Sequence, residues 1–253
     1  MSVLRFTSNL CRRNRLKMTG LEFFSHVYPA SAALTVFDIG AHTGESVGSF
    51  QSLFPQAQIH AFEPAPDNFL RLRDRFLGQP AIHPHQAAVG AFDGFTKLHL
   101  NNYSATHSVL PIDRVEINRW ADSADFAETG VLEVEQRSID RLIADHGLTG
   151  IDILKMDVQG GELLVLNGAR AALAAHRIGC IFSEVEFRAL YTGQPLAWDI
   201  HSCLSGLGYQ FVNFACPKIT DTGLLSWADA IYVNPTIWNQ LAQRHSAGKA
   251  QSQ

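Results

Sequence analysis

Short apolar runs alternate with amphipathic stretches along most of this chain. Thr19 to Tyr28 has Leu21, Phe24 and Val27 at helical spacing, with Thr19 placed as an N-cap and Pro29 closing the helix. Leu34 to Ile39 is an apolar run with Asp38 inside it, the pattern of a buried strand. Glu45 to Phe54 carries Val47, Phe50, Leu53 and Phe54 at helical spacing, and Pro55 ends it. Ile59 to Glu63 predicts a second strand, Asp67 to Leu77 a helix with Arg71, Arg73 and Arg75 outward, and Ile82 to Val89 a third strand. Phe95 to Leu100 looks like part of a hairpin and runs into a polar loop, Asn101 to Ser108. Residues 111–130 are poorly periodic, so an insertion at about 101–130 is expected over one face of the fold. Order returns with a strand at Val131 to Gln136 and a helix at Ile139 to His146, capped by Ser138 and ended by Gly147. The strands Ile151 to Val158 and Ile178 to Phe187 flank a helix over Glu162 to Ala174. A last helix, Trp198 to Leu207, precedes two strands, Tyr209 to Phe214 and Trp227 to Val233, with no helical pattern between them.

Alternation of strand and helix from Leu34 to Leu207 predicts a parallel sheet covered by helices on both faces. The two final strands predict an antiparallel hairpin at one edge. The expected class is α/β, a doubly wound, mostly parallel sheet with an antiparallel edge strand. At 253 residues, 46% of them apolar, the chain suits one large domain, over residues 19–240. Residues 1–18 hold Arg5, Arg12, Arg13, Arg15 and Lys17 with no acid and no apolar stretch, which predicts a flexible leader rather than a secretory signal. The polar end, 241–253, is expected to be disordered. No apolar run reaches the ~18 residues of a membrane span.

A net charge of −4 and a pI near 6.2 count against a general nucleic-acid binder, which needs a basic face. Cys11, Cys180, Cys203 and Cys216 are too scattered for a zinc or disulfide framework and read as reduced thiols of a cytoplasmic protein.

The chemistry gathers where strands end. Gly40 and Gly44 bracket the turn after the first strand, where a backbone without Cβ atoms admits a ligand closely. Asp38, Glu63 and Asp157 all stand at strand ends, where a carboxylate needs hydrogen bonds or a ligand. Glu63 lies about 20 residues past Gly40, the place of an acid that bonds a ribose diol with two oxygens. A dinucleotide fingerprint would continue with glycines where this chain has His42 and Glu45, and a carboxylate there repels a pyrophosphate. A phosphate-binding lysine loop is also absent. A ribose-bearing, phosphate-free and cationic ligand is left, and S-adenosylmethionine fits that description.

Three segments together resemble the FkbM family of S-adenosylmethionine-dependent methyltransferases. They are Val36-Phe37-Asp38-Ile39-Gly40-Ala41-His42-Thr43-Gly44, then Ala61-Phe62-Glu63-Pro64, then Lys155-Met156-Asp157-Val158-Gln159-Gly160-Gly161-Glu162 with Val165-Leu166-Asn167-Gly168-Ala169. Ser138-Ile139-Asp140-Arg141-Leu142 is similar to the helix start that precedes the last segment in that family. The resemblance spans about Leu34 to Phe214 and implies a Rossmann-like class I methyltransferase fold of seven strands. It also implies methyl transfer from S-adenosylmethionine, usually to oxygen of a small molecule or sugar, and leaves the acceptor open. Gln159 departs from the family, whose members often carry Glu there.

The expected cofactor set is Asp38, Gly40, Ala41, His42, Gly44, Glu63, Pro64, Asn68, Ala88, Asp157 and Gln159. Removing a proton from an acceptor hydroxyl calls for a base or a metal. Asp157, Glu184 and His107 are the candidates for catalysis, and Asp157 with Glu184 for a divalent cation held by oxygens. Glu184 and Glu186 alternate onto one face of their strand, and a salt bridge to Lys155 or Arg188 is the structural reading of these acids. Glu162 at a helix start is equally a cap, and His83, His85 and His99 are expected on exposed strand faces. Tyr103, Trp120 and Phe126 of the insertion are available to the acceptor. The competing readings are a nucleotide-cofactor oxidoreductase, a non-catalytic scaffold of the same fold, and a nucleic-acid or protein methyltransferase. The Asn-Pro-Pro-Tyr type motif of base methylators is absent.

Overall fold

The computed structural model describes residues 20–120 and 124–250. The basic leader and the Thr19 cap lie outside the described residues. In chain order the elements are α1 (Glu22–Val27), β1 (Thr35–Ile39), α2 (Glu45–Leu53), β2 (Gln58–Phe62), α3 (Pro66–Arg75), β3 (Ile82–His85), β4 (Ala88–Val89) and β5 (Gly94–Asn101). A single 3-10 turn (Ser104–Thr106), α4 (Arg114–Trp120), β6 (Glu128–Arg137), α5 (Ile139–Asp145), β7 (Ile151–Met156), α6 (Glu162–Asn167) and α7 (Arg170–Ala174) follow. The chain closes with β8 (Ile178–Glu186), α8 (Ala197–Gly206), β9 (Gln210–Ile219), β10 (Leu225–Val233) and α9 (Pro235–Ala250).

Seven strands form the main sheet in the order β3-β2-β1-β7-β8-β10-β9. The first five are parallel, while β10 runs antiparallel to both β8 and β9. The expected edge hairpin is there, with its reversed strand one place in from the rim. Sheet order reverses between β1 and β7, and that switch point opens a crevice beyond the carboxyl ends of the strands.

Strand alternation sends side chains to two apolar layers. Phe37, Ile39, Leu154, Met156 and Ile181 pack beneath α5, α6, α7 and α8. Val36, Ile59, Ile153 and Cys180 pack on the other face with α1, α2 and α9. Both faces of β1 and β7 are therefore covered, as a parallel sheet requires.

Four details differ from the pattern-based expectations. The run Ile82 to Val89 is two strands: β3 joins the main sheet, while β4 enters a separate three-stranded sheet, β4-β6-β5. The expected single helix over Glu162 to Ala174 breaks at Gly168, which lies against β4's exit. A Cβ on Gly168 would fall 2.0 Å from the Gly90 carbonyl oxygen. Asp140 then starts α7 by accepting from the Ala171 and Ala172 amides, both at 2.8 Å.

The connection between the last strands is shorter than expected, because β9 and β10 extend toward each other past Phe214 and Trp227. The tail from 241, expected to be disordered, belongs to α9 as far as Ala250. Asn234 accepts from the Ile237 amide at 2.9 Å, Pro235 opens the helix, and Ile237 and Leu241 pack on the core. Burying an aliphatic side chain is worth about 1.5–3 kcal/mol, which composition alone undercounts. No described helix is long and apolar enough to cross a membrane.

Candidate active site

β1 ends in a turn that approaches two neighbours at once. The amides of Gly40 and Ala41 both donate to the Phe62 carbonyl at 3.0 Å. Gly40 has φ +78°, and a Cβ there would sit 1.9 Å from the Asp157 carbonyl oxygen. Only glycine fits between β1 and the chain leaving β7. His42 also takes a positive φ of 49°, which aims its amide at Glu63.

Glu63 is buried at the end of β2. Its Oε2 accepts from the His42 amide at 3.0 Å and its Oε1 from the Ala65 amide at 2.9 Å. Burial raises its pKa despite those amide bonds. Each oxygen keeps a lone pair for a further donor, the arrangement a vicinal diol needs.

These residues border a cavity of about 350 Å³, within the roughly 300–1,000 Å³ of small-molecule pockets. Phe62, Leu98 and Val109 form apolar wall, while Glu63, Asp157 and Gln159 supply polar groups. The loop expected over the site does form one side, through Ser104, His107 and Ser108. Ser104 Oγ lies 2.8 Å from His42 Nε2, tying that loop to the glycine turn.

The second half of the site is a nest of acids at the ends of β7 and β8 and in the middle of β10. Gln159, held at φ 53°, donates to Asp157 Oδ1 at 3.0 Å and to Glu184 Oε2 at 2.8 Å. Its side-chain oxygen, Oε1, accepts from the Tyr191 hydroxyl at 3.1 Å. Asp229 on β10 is the register partner of Glu184 and borders the cavity. Burial first, then neighbouring acids, raises Glu184, and raises Glu186 to about 8 and Asp229 to about 6.

Lys155 supplies the opposing charge. Its ammonium lies 3.1 Å from Asp38 Oδ1 and 3.7 Å from Asp157 Oδ2, and donates to the Gly40 carbonyl at 3.0 Å. Burial on its own would lower its pKa, but Asp38 and Asp157 outweigh burial and raise it. Glu162 folds back to accept from the Val158 and Gly160 amides at 3.0 and 3.4 Å, the capping role. Burial raises it to about 7.

Of the expected cofactor set, Gly40, Ala41, His42, Glu63, Pro64, Ala88, Asp157 and Gln159 border the cavity. Asp38, Gly44 and Asn68 do not. Asp38 is fully buried: its Oδ2 accepts from the Ser46 hydroxyl, while its Oδ1 has no hydrogen-bond partner and only the charge of Lys155 beside it. Gly44 seats α2 against Leu72 and Phe76, and Asn68 donates to the Ser104 carbonyl at 3.4 Å.

Among the catalytic candidates, His107 and Asp157 border the cavity, and Glu184 reaches it through Gln159. His107 fits poorly as a base. Its Nδ1 accepts from the Asn101 amide at 3.0 Å, so the neutral ring carries its proton on Nε2 and can only donate there. The space between Asp157 and Glu184, expected for a cation, is bridged by the Gln159 amide. Lys155 pairs with acids as anticipated, whereas Arg188 stacks over Trp120 at 5.0 Å. Trp120 and Phe126 pack around Ile117 and Tyr191, and Tyr103 is exposed, so none of the three aromatics borders the cavity. Sequence pattern missed Asp229, although an acid inside the apolar run Ala228-Asp229-Ala230-Ile231 was its available signal.

A switch-point cavity with a buried acid at the end of β2 and no phosphate cradle defines the class I methyltransferase type of α/β fold. Glu45 heads α2 where a pyrophosphate would rest, which disfavours the oxidoreductase alternative. The Methyltransferase FkbM domain matches residues 38–211, and the chain belongs to that family. It is 28% identical over 162 residues to the 2-O-methyltransferase NoeI of Sinorhizobium fredii, a match covering 63% of this chain and 66% of that protein. It is 29% identical over 156 residues to the methyltransferase sdnD of Sordaria araneosa, covering 53% of this chain and 59% of that one. The chain thus spans under two thirds of the length of these curated relatives. Among solved structures, the methyltransferase FkbM of Methylobacillus flagellatus superposes with a TM-score of 0.54 at 18% identity, over 83% of this chain and 46% of the other, a likeness of fold.

Proposed function

We propose that this protein transfers a methyl group from S-adenosylmethionine to a hydroxyl of a small molecule, a sugar among the candidates. The observation that carries the reading is Glu63, whose two oxygens are each fixed by one backbone amide and open toward the cavity. The residues fit the cofactor: Glu63 for the ribose diol, the Gly40-Ala41-His42 turn for the amino-acid tail, Phe62 and Leu98 for the base, Asp157 facing the sulfonium side. Bound there, S-adenosylmethionine supplies an activated methyl on a sulfonium.

Asp157 is the base best placed to take the acceptor's proton. Its side chain is 39% exposed and borders the cavity, and Gln159 and Lys155 orient it. His107 positions the acceptor by donating from Nε2. The relative named as a 2-O-methyltransferase supports oxygen as the acceptor atom, and the net charge of −4 favours a small acceptor over nucleic acid.

Calorimetric titration with S-adenosylmethionine and with NAD, using wild type and Glu63→Gln, tests this reading. Micromolar binding of the former alone, weakened about 10-fold or more in the variant, is the expected result, since losing a hydrogen bond to a charged group costs about 1.5–3 kcal/mol. Equal binding by both proteins removes Glu63 from the cofactor site.

A further inference from the structure

On the far side of Phe62 from the cavity, four imidazoles crowd together. Register pairs His60 with His83 and Phe62 with His85 across β2 and β3. Strand alternation therefore places His60, His83 and His85 on one face. His146, at the C-terminal end of α5, lies over that face, its ring centroid 4.8 Å from that of His60 and 5.4 Å from that of His85. The expectation that His83 and His85 stand on an exposed strand face is corrected here. Both are partly covered, and His85 stacks on Phe62 with centroids 4.5 Å apart.

Nitrogen geometry is the telling feature. His60 Nδ1 and His85 Nε2 face each other at 3.1 Å. One nitrogen from each of His60, His85 and His146 lies within 4.8 Å of the other two. A tetrahedral ion with bonds of about 2.0–2.1 Å holds its nitrogens roughly 3.4 Å apart. Buried His60 and half-buried His85 need almost no movement, and exposed His146 can close the rest by rotating.

We propose that His60, His85 and His146 form a binding site for a divalent transition metal of the zinc class, separate from the methyl-transfer site. Two properties favour that chemistry. The ligands are all imidazole, which suits zinc rather than the oxygen-seeking magnesium or calcium. The acids that share a groove with His85 and His146, Glu135 and Asp145, are engaged with Arg137 and, for Asp145, also with Arg141.

Exposed His146 marks the solvent side, where a water or His83 fills the fourth place. His83 Nε2 now lies 3.0 Å from Gln58 Oε1. An ion there would clamp the β2–β3 edge to α5, behind the strand that presents Glu63.

The test uses tag-free, chelator-stripped protein titrated with zinc chloride against a chromophoric competitor, and with cobalt(II) to read coordination from its visible absorption. One equivalent is expected, with a tetrahedral nitrogen-type cobalt spectrum and a raised thermal midpoint. Outer-sphere changes weaken metal sites about 10–100-fold, so losing a ligand in His146→Gln or His85→Gln should cost more than about 100-fold. His146 is exposed at a helix end, so that variant keeps its fold, checked by circular dichroism. Absence of stoichiometric binding, or undiminished affinity in either variant, overturns the proposal. None of these readouts depends on S-adenosylmethionine.

Discussion

The Gln159 side-chain amide donates to Glu184 at 2.8 Å while its other hydrogen goes to Asp157 at 3.0 Å. One neutral group thus satisfies two acids that would otherwise repel. Gln159→Glu replaces both donors with a third carboxylate in a partly buried nest. A loss on the order of 2–4 kcal/mol at neutral pH is expected, because acids left unpaired away from water carry that scale of penalty. Denaturant unfolding with and without magnesium measures it. Recovery of stability with magnesium in the variant alone would show that Gln159 stands where a cation otherwise belongs. A variant as stable as wild type would mean the amide bridge contributes little.

Gly40→Ala tests the close approach of β1 to β7. The new Cβ meets the Asp157 carbonyl oxygen at 1.9 Å, and backbone cannot turn aside as a side chain can. The position's φ of +78° adds strain of about 1–2 kcal/mol. A total cost of roughly 3 kcal/mol or more, with weakened cofactor binding, is expected. Unchanged stability and binding would show that the strands separate easily there.

The β1 turn, Glu63 and Asp157 were legible because strand periodicity ends abruptly at each, and position at a strand end is a local property. Asp229 was not legible, since its place beside Glu184 depends on an antiparallel register set by β8 and β10, far apart in sequence. Nor did pattern tell which way Asp38 faces. Alternation turns it away from Phe37 and Ile39, onto the face where Ser46 and Lys155 meet it. The division of Ile82 to Val89 between two sheets escaped notice for the same reason, because a short apolar run does not name its partners.

Asp38 and Lys155 should behave as one unit. Asp38 is fully buried, so Lys155→Met leaves a carboxylate without its counterion at a cost of about 3–5 kcal/mol. Asp38→Asn combined with Lys155→Met removes both charges, and the double variant should be more stable than Lys155→Met alone. A double-mutant cycle from denaturant unfolding gives the coupling, expected at about 1–3 kcal/mol. Simple additivity would show that the 3.1 Å pair is not the reason for either residue.

Glu186 gives the fold a dependence on alkaline pH. Its Oε2 is buried without a hydrogen-bond partner, and burial with nearby Glu162 and Asp157 raises its pKa from 4.5 to about 8. A raised folded pKa means the folded protein holds a proton the unfolded chain has released. Its contribution to stability is therefore complete below pH 4.5 and is lost as pH climbs through about 8. Glu162 and Asp229, at about 7 and 6, act in the same direction. His60 and His85 act oppositely: depressed from 6.5 to about 3 and 4, they contribute above pH 6.5 and fail on acidification. Glu186→Gln keeps the shape and removes the titration. Between about pH 5 and pH 8 its stability should fall less than wild type's, by on the order of 2 kcal/mol. Denaturant unfolding at those two pH values measures the difference. Parallel pH profiles for the two proteins would mean that Glu186 is already ionised in the fold and that Arg188 or water serves its free oxygen.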